Sequence, residues 1–381
     1  MSTHPKTFKN ASLIVADEVI DGSLTVDGDG RIENIASPTE TDGHDCEGDF
    51  LLPGLVELHT DHLETHYAPR PKVRWNTVSA VQAHDAQIAC AGITTVFDAL
   101  RVGMDEDADL TYQDMRSLAD AIETGQREHR LRADHFIHLR CEVSAPDVMN
   151  AFKVFEEDDS IRLISLMDHT PGQRQFVSLE AYKIYFKGKK GFSDAEMDAF
   201  IRRRQEKASA LAPEHRKQLS DLAGKRGIVI ASHDDATSDH VEEAVALNTR
   251  IAEFPTTVQA AKASHEAGMA VLMGAPNVVR GGSHSGNVSA RELAESGYLD
   301  VLSSDYIPAS LLQASFQLAE EIETISLPKA VAMVTSNPAK AIGLDDRGSL
   351  LPGLRADLVQ VKLVGNVPIV RGVWREGKRV A

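Results

Sequence analysis

Short apolar runs that recur along the chain, each separated from the next by a helical pattern, constrain the possible fold most. Eight runs stand out: LLPGLVEL (51–58), ITTVFDAL (93–100), HFIHLRCEV (135–143), IRLISLMDH (161–169), GIVIASHDD (227–235), RIAEFPTT (250–257), MAVLMGAP (269–276) and DVLSSDY (300–306). Apolar runs of this length read as buried strands. Strands alternating with helices predict parallel pairing through helical crossovers, and eight of them predict a (β/α)8 barrel. A doubly wound open sheet is the structural alternative. Punctuation supports the intervening helices. The patterns at 77–91 and 258–267 end at Gly92 and Gly268, as C-terminal glycines do. Ser193 with Glu196 and Ser289 with Glu292 have capping-box spacing, and Asn337 before Pro338 suits an N-cap.

The chain ends follow a different pattern. SLIVADEVI and SLTVDGDGRIENI, with a GDG turn signal, predict a small antiparallel β unit over residues 1–50. ADLVQVKL and VPIVRGVWREGKRV near the end look alike. Because the termini of a chain often lie close together, 1–50 and 346–381 are expected to form one small domain around a barrel over 51–345.

A hydrophobic content of 42% over 381 residues is ample for a large core. The formal net charge of −17 argues against nucleic acid or an anionic membrane as partner, yet leaves room for a small anionic substrate in a local cationic pocket. MSTHPKTFKN lacks a signal-peptide core, and no apolar run approaches the ~20 residues of a membrane span. Cys46, Cys90 and Cys141 are odd in number and widely spaced, as in a reducing compartment, and make neither a disulfide framework nor a zinc finger. A cytoplasmic location is expected, and a homo-oligomer is compatible with this composition.

In a barrel of this kind the catalytic groups sit at the C-terminal ends of strands. Here the first run ends in Glu57-Leu58-His59-Thr60-Asp61, the third at Glu142, the fourth at Asp168-His169, the fifth at His233-Asp234-Asp235 and the eighth at Asp305. Residues i and i+2 of a strand share a face, so His59 and Asp61 can address one ion. A lone His or Asp after a strand is usually a turn residue, but recurrence at five of eight ends points to metal. Imidazoles mixed with carboxylates suit a divalent ion such as zinc. A bridging carboxylate, here Glu142, allows two ions. The expected ligands are therefore His59, Asp61, Glu142, His169, His233 and Asp305, around one or two zinc ions per chain.

These segments resemble the amidohydrolase superfamily. LLPGLVELHTDH resembles its opening, in which His-x-His follows Pro-Gly, and TSNPAKAIGLDDRGSLLPGLRADLVQV resembles its closing segment. GIVIASHDDAT is similar to the fifth-strand segment of the N-acetylglucosamine-6-phosphate deacetylase branch. The resemblance implies a distorted (β/α)8 barrel with a small β-sandwich made from both chain ends. The chain departs from the superfamily in three places. His59-Thr60-Asp61 replaces His-x-His, no lysine stands where a carboxylated one often bridges, and RIAEFPTT lacks the sixth-strand histidine, for which His169 compensates. HTDHLE, PRPKVRW, HLRCE, SLMDHTPGQRQF, AEFPTT, LMGAPNVVRGGSHSGN and SSDYIPASLL together resemble one branch, the α-D-ribose 1-methylphosphonate 5-triphosphate diphosphatases of the carbon–phosphorus lyase pathway. That likeness implies hydrolysis of a triphosphate.

Arg280, His284 and neighbouring glycines follow the seventh run, where barrels often bind phosphate. Glycines admit backbone N–H groups to an anion, and arginine grips two oxygens. Lys72, in the basic segment 69–74, and Arg174 are further substrate candidates. Asp305 is also expected to take a proton from the attacking water. His62, Glu64 and His66 cannot all face the metal; His84 and Asp85 fall in a helical pattern and read as structural. Asp98 suits a carboxylate behind a ligand histidine. The acidic stretch 104–114 and the cationic FKGKKGF (186–192) read as solvated loops. Two rival functions are a C–N hydrolase (a deacetylase or cyclic-amide hydrolase) on the same site and a non-catalytic interaction subunit.

Overall fold

The computed structural model describes residues 6–37, 42–104, 110–172, 174, 183, 193–283 and 286–381. FKGKKGF and His284 lie outside the described residues, as do residues 105–109 of the acidic stretch at 104–114. The eight apolar runs of the middle form one parallel sheet. Its strands are β6 (Leu55–Thr60), β7 (Ile93–Val102), β8 (Asp134–Glu142), β9 (Ile161–Met167), β10 (Val229–His233), β11 (Ile251–Glu253), β12 (Ala270–Gly274) and β13 (Val301–Ser303), paired in chain order. A bridge between Thr60 and Asp305 joins the first strand to the end of the last. This is the (β/α)8 barrel. Strands such as β6 and β10 are buried at every residue, which is why they read as continuous apolar runs rather than alternating ones.

Both chain ends build a second, mixed sheet. It contains β1 (Lys6–Ile14), β2 (Val19–Val26), β3 (Ile32–Ala36), β4 (His44–Asp45), β5 (Phe50–Pro53), β14 (Leu358–Val364), β15 (Val367–Arg375) and β16 (Lys378–Arg379). The N-terminal part is not purely antiparallel as expected. Hairpin β1–β2 is antiparallel, but β4 and β5 pair with β1 in parallel, and β5 pairs antiparallel with β14. A core of Phe8, Leu13, Leu24, Leu51, Leu358 and Trp374 fills this sheet's inner face.

LLPGLVEL also divides differently from the single expected strand. Phe50–Pro53 belongs to the mixed sheet and Leu55–Thr60 to the barrel, with Gly54 between. A Cβ on Gly54 would stand 2.1 Å from Thr94 Oγ1, so only glycine lets the backbone cross there. At the other end, Thr335 rather than Asn337 takes the N-cap position of helix Ser336–Ile342. Asn337 lies inside the helix and donates from Nδ2 to the Asp300 carbonyl, 2.8 Å away. The Ser193 capping box is present and starts helix Asp194–Arg226. No helix among the described residues is long and apolar enough to cross a membrane. All three cysteines are free.

The chain packs as two compact units. One comprises residues up to Asp98, Ala121–Phe136 and residues from Met273 on; the other comprises Ala99–Asp120 and Ile137–Leu272. Strands β7, β8 and β12 each contribute residues to both.

Candidate metal centre

In the unit built from Ala99–Asp120 and Ile137–Leu272, two strand ends supply one cluster. Strand β9 is followed by His169, β10 ends at His233, and Asp234 comes next. His169 Nε2 lies 3.9 Å and His233 Nε2 3.6 Å from Asp234 Oδ2. One ligand atom from each of the three falls within 4.8 Å of the others. Asp234 adopts φ 57°, a left-handed conformation that Asp tolerates better than most side chains.

Each imidazole is oriented by a buried glutamate on its other nitrogen. His169 Nδ1 is 2.5 Å from Glu142 Oε2, and Glu142 Oε1 accepts from the His169 N–H and the Ser144 hydroxyl. Burial alone would raise the Glu142 carboxyl, but His169, Arg101 and Ser144 together hold it well below the usual range. His233 Nδ1 is 3.1 Å from Glu253 Oε2 at the end of β11. Glu253 Oε1 faces His138 Nε2 at 3.8 Å, and His138 in turn pairs with Ser165 Oγ at 2.6 Å. Carboxylates behind histidines fix the ring orientation and leave Nε2 as the donor, the usual arrangement around a bound metal.

Asp234 tests whether the residues fit a cation. Its Oδ2 is buried without a hydrogen-bond partner. Burial pushes its carboxyl up to about 6, against the pull of His169, Arg174 and Arg140. A buried carboxylate oxygen left without a hydrogen bond is costly, and a divalent ion would convert that cost into attraction. Two imidazole nitrogens and a carboxylate make a donor set typical of a divalent ion such as zinc. The residues therefore fit the ion.

The other unit holds the remaining strand-end candidates. The His59 carbonyl accepts from Ser303 Oγ at 2.6 Å and from the Asp305 N–H at 3.1 Å. Thr60 Oγ1 donates to the Asp305 carbonyl, and Asp305 is left-handed at φ 54°. Glu57 stitches these two strand ends together, accepting from the backbone N–H of His59 at 2.6 Å and of Ser304 at 2.5 Å. Complete burial pushes its carboxyl up to about 7, although those hydrogen bonds oppose it. Asp61 takes the N-cap position of helix His62–Tyr67 without capping it through its side chain.

Several candidates have other commitments. Arg174 is buried, with Nη1 on Asp235 Oδ1 and Nη2 2.6 Å from Glu243 Oε2, so its guanidinium braces carboxylates. Asp168 accepts from Thr170 and, at 2.6 Å, from Arg216 Nη2. Arg174 and Arg216 line a cavity of about 730 Å³ together with Asp168, Thr170 and Glu243. Arg280 is exposed at the last turn of helix Ala275–Arg280, just ahead of left-handed Gly281, and Lys72 is exposed at φ 64°.

Residues 80–381 match the model of the amidohydrolase family. The chain belongs to the amidohydrolase family. Amidohydrolases are metal-dependent, in agreement with the cluster above. This amidohydrolase is 46% identical, over 98% of its own length and 99% of the relative's, to the α-D-ribose 1-methylphosphonate 5-triphosphate diphosphatase of Escherichia coli (strain K12). Its fold is similar to N-acetylglucosamine-6-phosphate deacetylase from Pasteurella multocida, with a TM-score of 0.63 at 15% identity, covering 99% of each chain. A 5-methylcytosine deaminase from Klebsiella pneumoniae gives a TM-score of 0.64 at 16% identity, covering 98% of each.

Asp234 and Glu253 are not among the residues that the sequence singles out, yet both adjoin the histidines of this cluster. Asp234 was visible in His233-Asp234-Asp235, where three polar residues after a strand gave no way to choose among them. Glu253 stands in the sixth strand, which lacks a histidine, and nothing in RIAEFPTT marks its carboxylate as the partner of His233.

Proposed function

We propose that this amidohydrolase hydrolyses α-D-ribose 1-methylphosphonate 5-triphosphate to the 5-phosphate and pyrophosphate. The supporting observation is the 46% identity, across almost the whole of both chains, to a diphosphatase of that name. His169, His233 and Asp234 hold a divalent ion, zinc in this reading, with Glu142 and Glu253 positioning the two histidines. Glu142 then acts behind His169 rather than as a bridge, since His169 and Ser144 engage both its oxygens. His59, Asp61 and Asp305 are the candidate ligands of a second ion. A divalent ion supplies Lewis acidity toward a phosphoryl oxygen and acidifies water at neutral pH.

The chain's own groups supply the remainder. Water oxygen bonds to the α-phosphorus, the bond from that phosphorus to the bridging oxygen of the β-phosphate breaks, and pyrophosphate departs with the electron pair. Asp305 accepts the water's proton. Arg280 and Lys72 are the cationic groups offered to the phosphate oxygens, with His284 as a further hydrogen-bonding group. Arg174 braces Asp235 and Glu243 instead.

Two measurements test this reading. Phosphorus NMR of the metal-loaded protein with the ribose 5-triphosphate is expected to show pyrophosphate and the 5-phosphate in equal amounts, and nothing after chelation. Cleavage of an N-acyl substrate with no pyrophosphate release would overturn the reading in favour of a C–N hydrolase. Asp305→Asn is expected to lower turnover by about 10²–10⁴-fold, the usual contribution of a positioned base, with the ion at His169, His233 and Asp234 retained. Turnover near wild type in that variant would remove Asp305 from the scheme.

A further inference from the structure

Strand β11 ends at Glu253, and Phe254 follows it at φ 52°. A phenylalanine in the left-handed region is a genuine outlier, because its Cβ crowds the following carbonyl. Pro255 comes next, and a residue before proline prefers extended backbone. The fold therefore holds Phe254 against two local preferences. Its N–H donates to the Leu272 carbonyl in β12, 2.8 Å away. The end of β10 repeats the device: Asp234, at φ 57°, donates its N–H to the Glu253 carbonyl at 2.9 Å. Residues kept in a strained conformation cluster at functional sites, and Asp234 lies in the metal centre.

The left-handed turn changes what two consecutive side chains can address. Along a strand they point to opposite faces. His233 and Asp234 nevertheless belong to one cluster. In the same way Glu253 and Phe254 both reach His233. Glu253 Oε2 is 3.1 Å from His233 Nδ1. The Phe254 ring makes a T-shaped contact with the His233 imidazole, with 5.2 Å between centres and 78° between planes. His169 meets the same imidazole at 5.8 Å and 72°. Rings at these separations and angles attract. One hydrogen bond fixes the direction of Nδ1 but leaves the imidazole plane free to tilt about that line. A T-shaped ring contact removes that freedom. Phe254 is only half-buried, so burial of apolar surface alone is a weak reason for keeping a strained aromatic there.

We propose that Phe254 is a positioning residue of the metal centre. Its ring sets the tilt of His233, so that Nε2 stays aimed at the point which Asp234 Oδ2 also addresses. Phe254 acts through His233 rather than on the ion. This inference rests on the reading that His169, His233 and Asp234 hold a divalent ion.

The test is titration of the chelator-stripped full chain with Zn²⁺ alone, followed through the ¹⁵N-histidine NMR signals of His233. Phe254→Asn and Phe254→Gly remove the ring while suiting the left-handed backbone. Both are expected to bind Zn²⁺ at His233 about 10–100-fold more weakly than the parent, the usual effect of losing a group that orients a ligand. Their metal-free His233 signals are expected to move from the parent's positions, as the imidazole gains freedom to tilt. Phe254→Tyr keeps the ring and is expected to bind with parental affinity and parental His233 signals. A purely structural Phe254 predicts lower melting temperatures for the ring-less variants with Zn²⁺ affinity unchanged, and that result would overturn the proposal. Equal weakening in Phe254→Tyr would overturn it as well. A parent whose His233 signals ignore saturating Zn²⁺ would overturn the metal-centre reading itself, and this inference with it.

Discussion

Asp234→Ala is expected to lose one bound divalent ion and to lower kcat/KM for pyrophosphate release by about 10³-fold or more. A catalytic ion contributes several kcal/mol to the transition state, and each 1.36 kcal/mol is a factor of ten. Asp234 Oδ2 faces both His169 Nε2 and His233 Nε2, and it has no hydrogen bond to replace the ion. Asp234→Asn separates ion binding from folding. The amide keeps the shape but not the charge that burial opposes, so the metal-free variant should match or exceed the melting temperature of the metal-free parent. Added Zn²⁺ should then raise the parent's melting temperature by more than the variant's. Ligand held at 100 times its Kd stabilises by about 2.7 kcal/mol. An Asp234→Asn protein that retains the full metal count and turnover would exclude this carboxylate as a ligand. The ion count by elemental analysis and product formation by phosphorus NMR decide the matter together.

The fold was legible because its determinants are local. A parallel strand buried on both faces must be apolar along its length, so β6, β7 and β10 announce themselves. The junction at Gly54 was not legible, since nothing in LLPGLVEL records that Thr94 packs against its middle. Nor did the N-terminal hairpin reveal that β5 would add in parallel beside β1, a pairing that depends on β14 from the far end of the chain.

The same distinction holds in the site. Strand ends with His and Asp were readable as metal-ligand types, and His169 and His233 do meet in one cluster. What separates a ligand from a brace is which atom the neighbour occupies, and that is long-range. Arg174 reads as a phosphate-binding arginine, but Asp235, 61 residues on, and Glu243 hold it. Asp98 reads as a carboxylate behind a ligand histidine, and it sits behind two histidines, His84 and His135, neither of which was among the expected ligands.

His135→Gln is expected to be the most destabilising substitution outside the metal centre, by about 3–5 kcal/mol, the usual effect of removing one partner from a buried ion pair. His135 is buried between two buried carboxylates, with Nδ1 2.7 Å from Asp98 Oδ2 and Nε2 3.3 Å from Asp85 Oδ1. Burial alone would lower its pKa, but Asp98 and Asp85 raise it to about 10. Burial would likewise raise Asp98, yet His135 and His84 hold it down at about 2. Glutamine fills much of the space but leaves Asp98 charged and without its cation. The pH dependence distinguishes this account from simple loss of packing. A histidine raised from 6.5 to about 10 gives stability that is complete below pH 6.5 and is lost as pH rises through 10. The parent's urea midpoint should therefore fall between pH 6.5 and pH 9.5, while the variant begins lower and lacks that component of the decline. Parallel curves for parent and variant over this window would mean that His135 is neutral in the folded protein and that the Asp85–His135–Asp98 chain is held by ordinary hydrogen bonds.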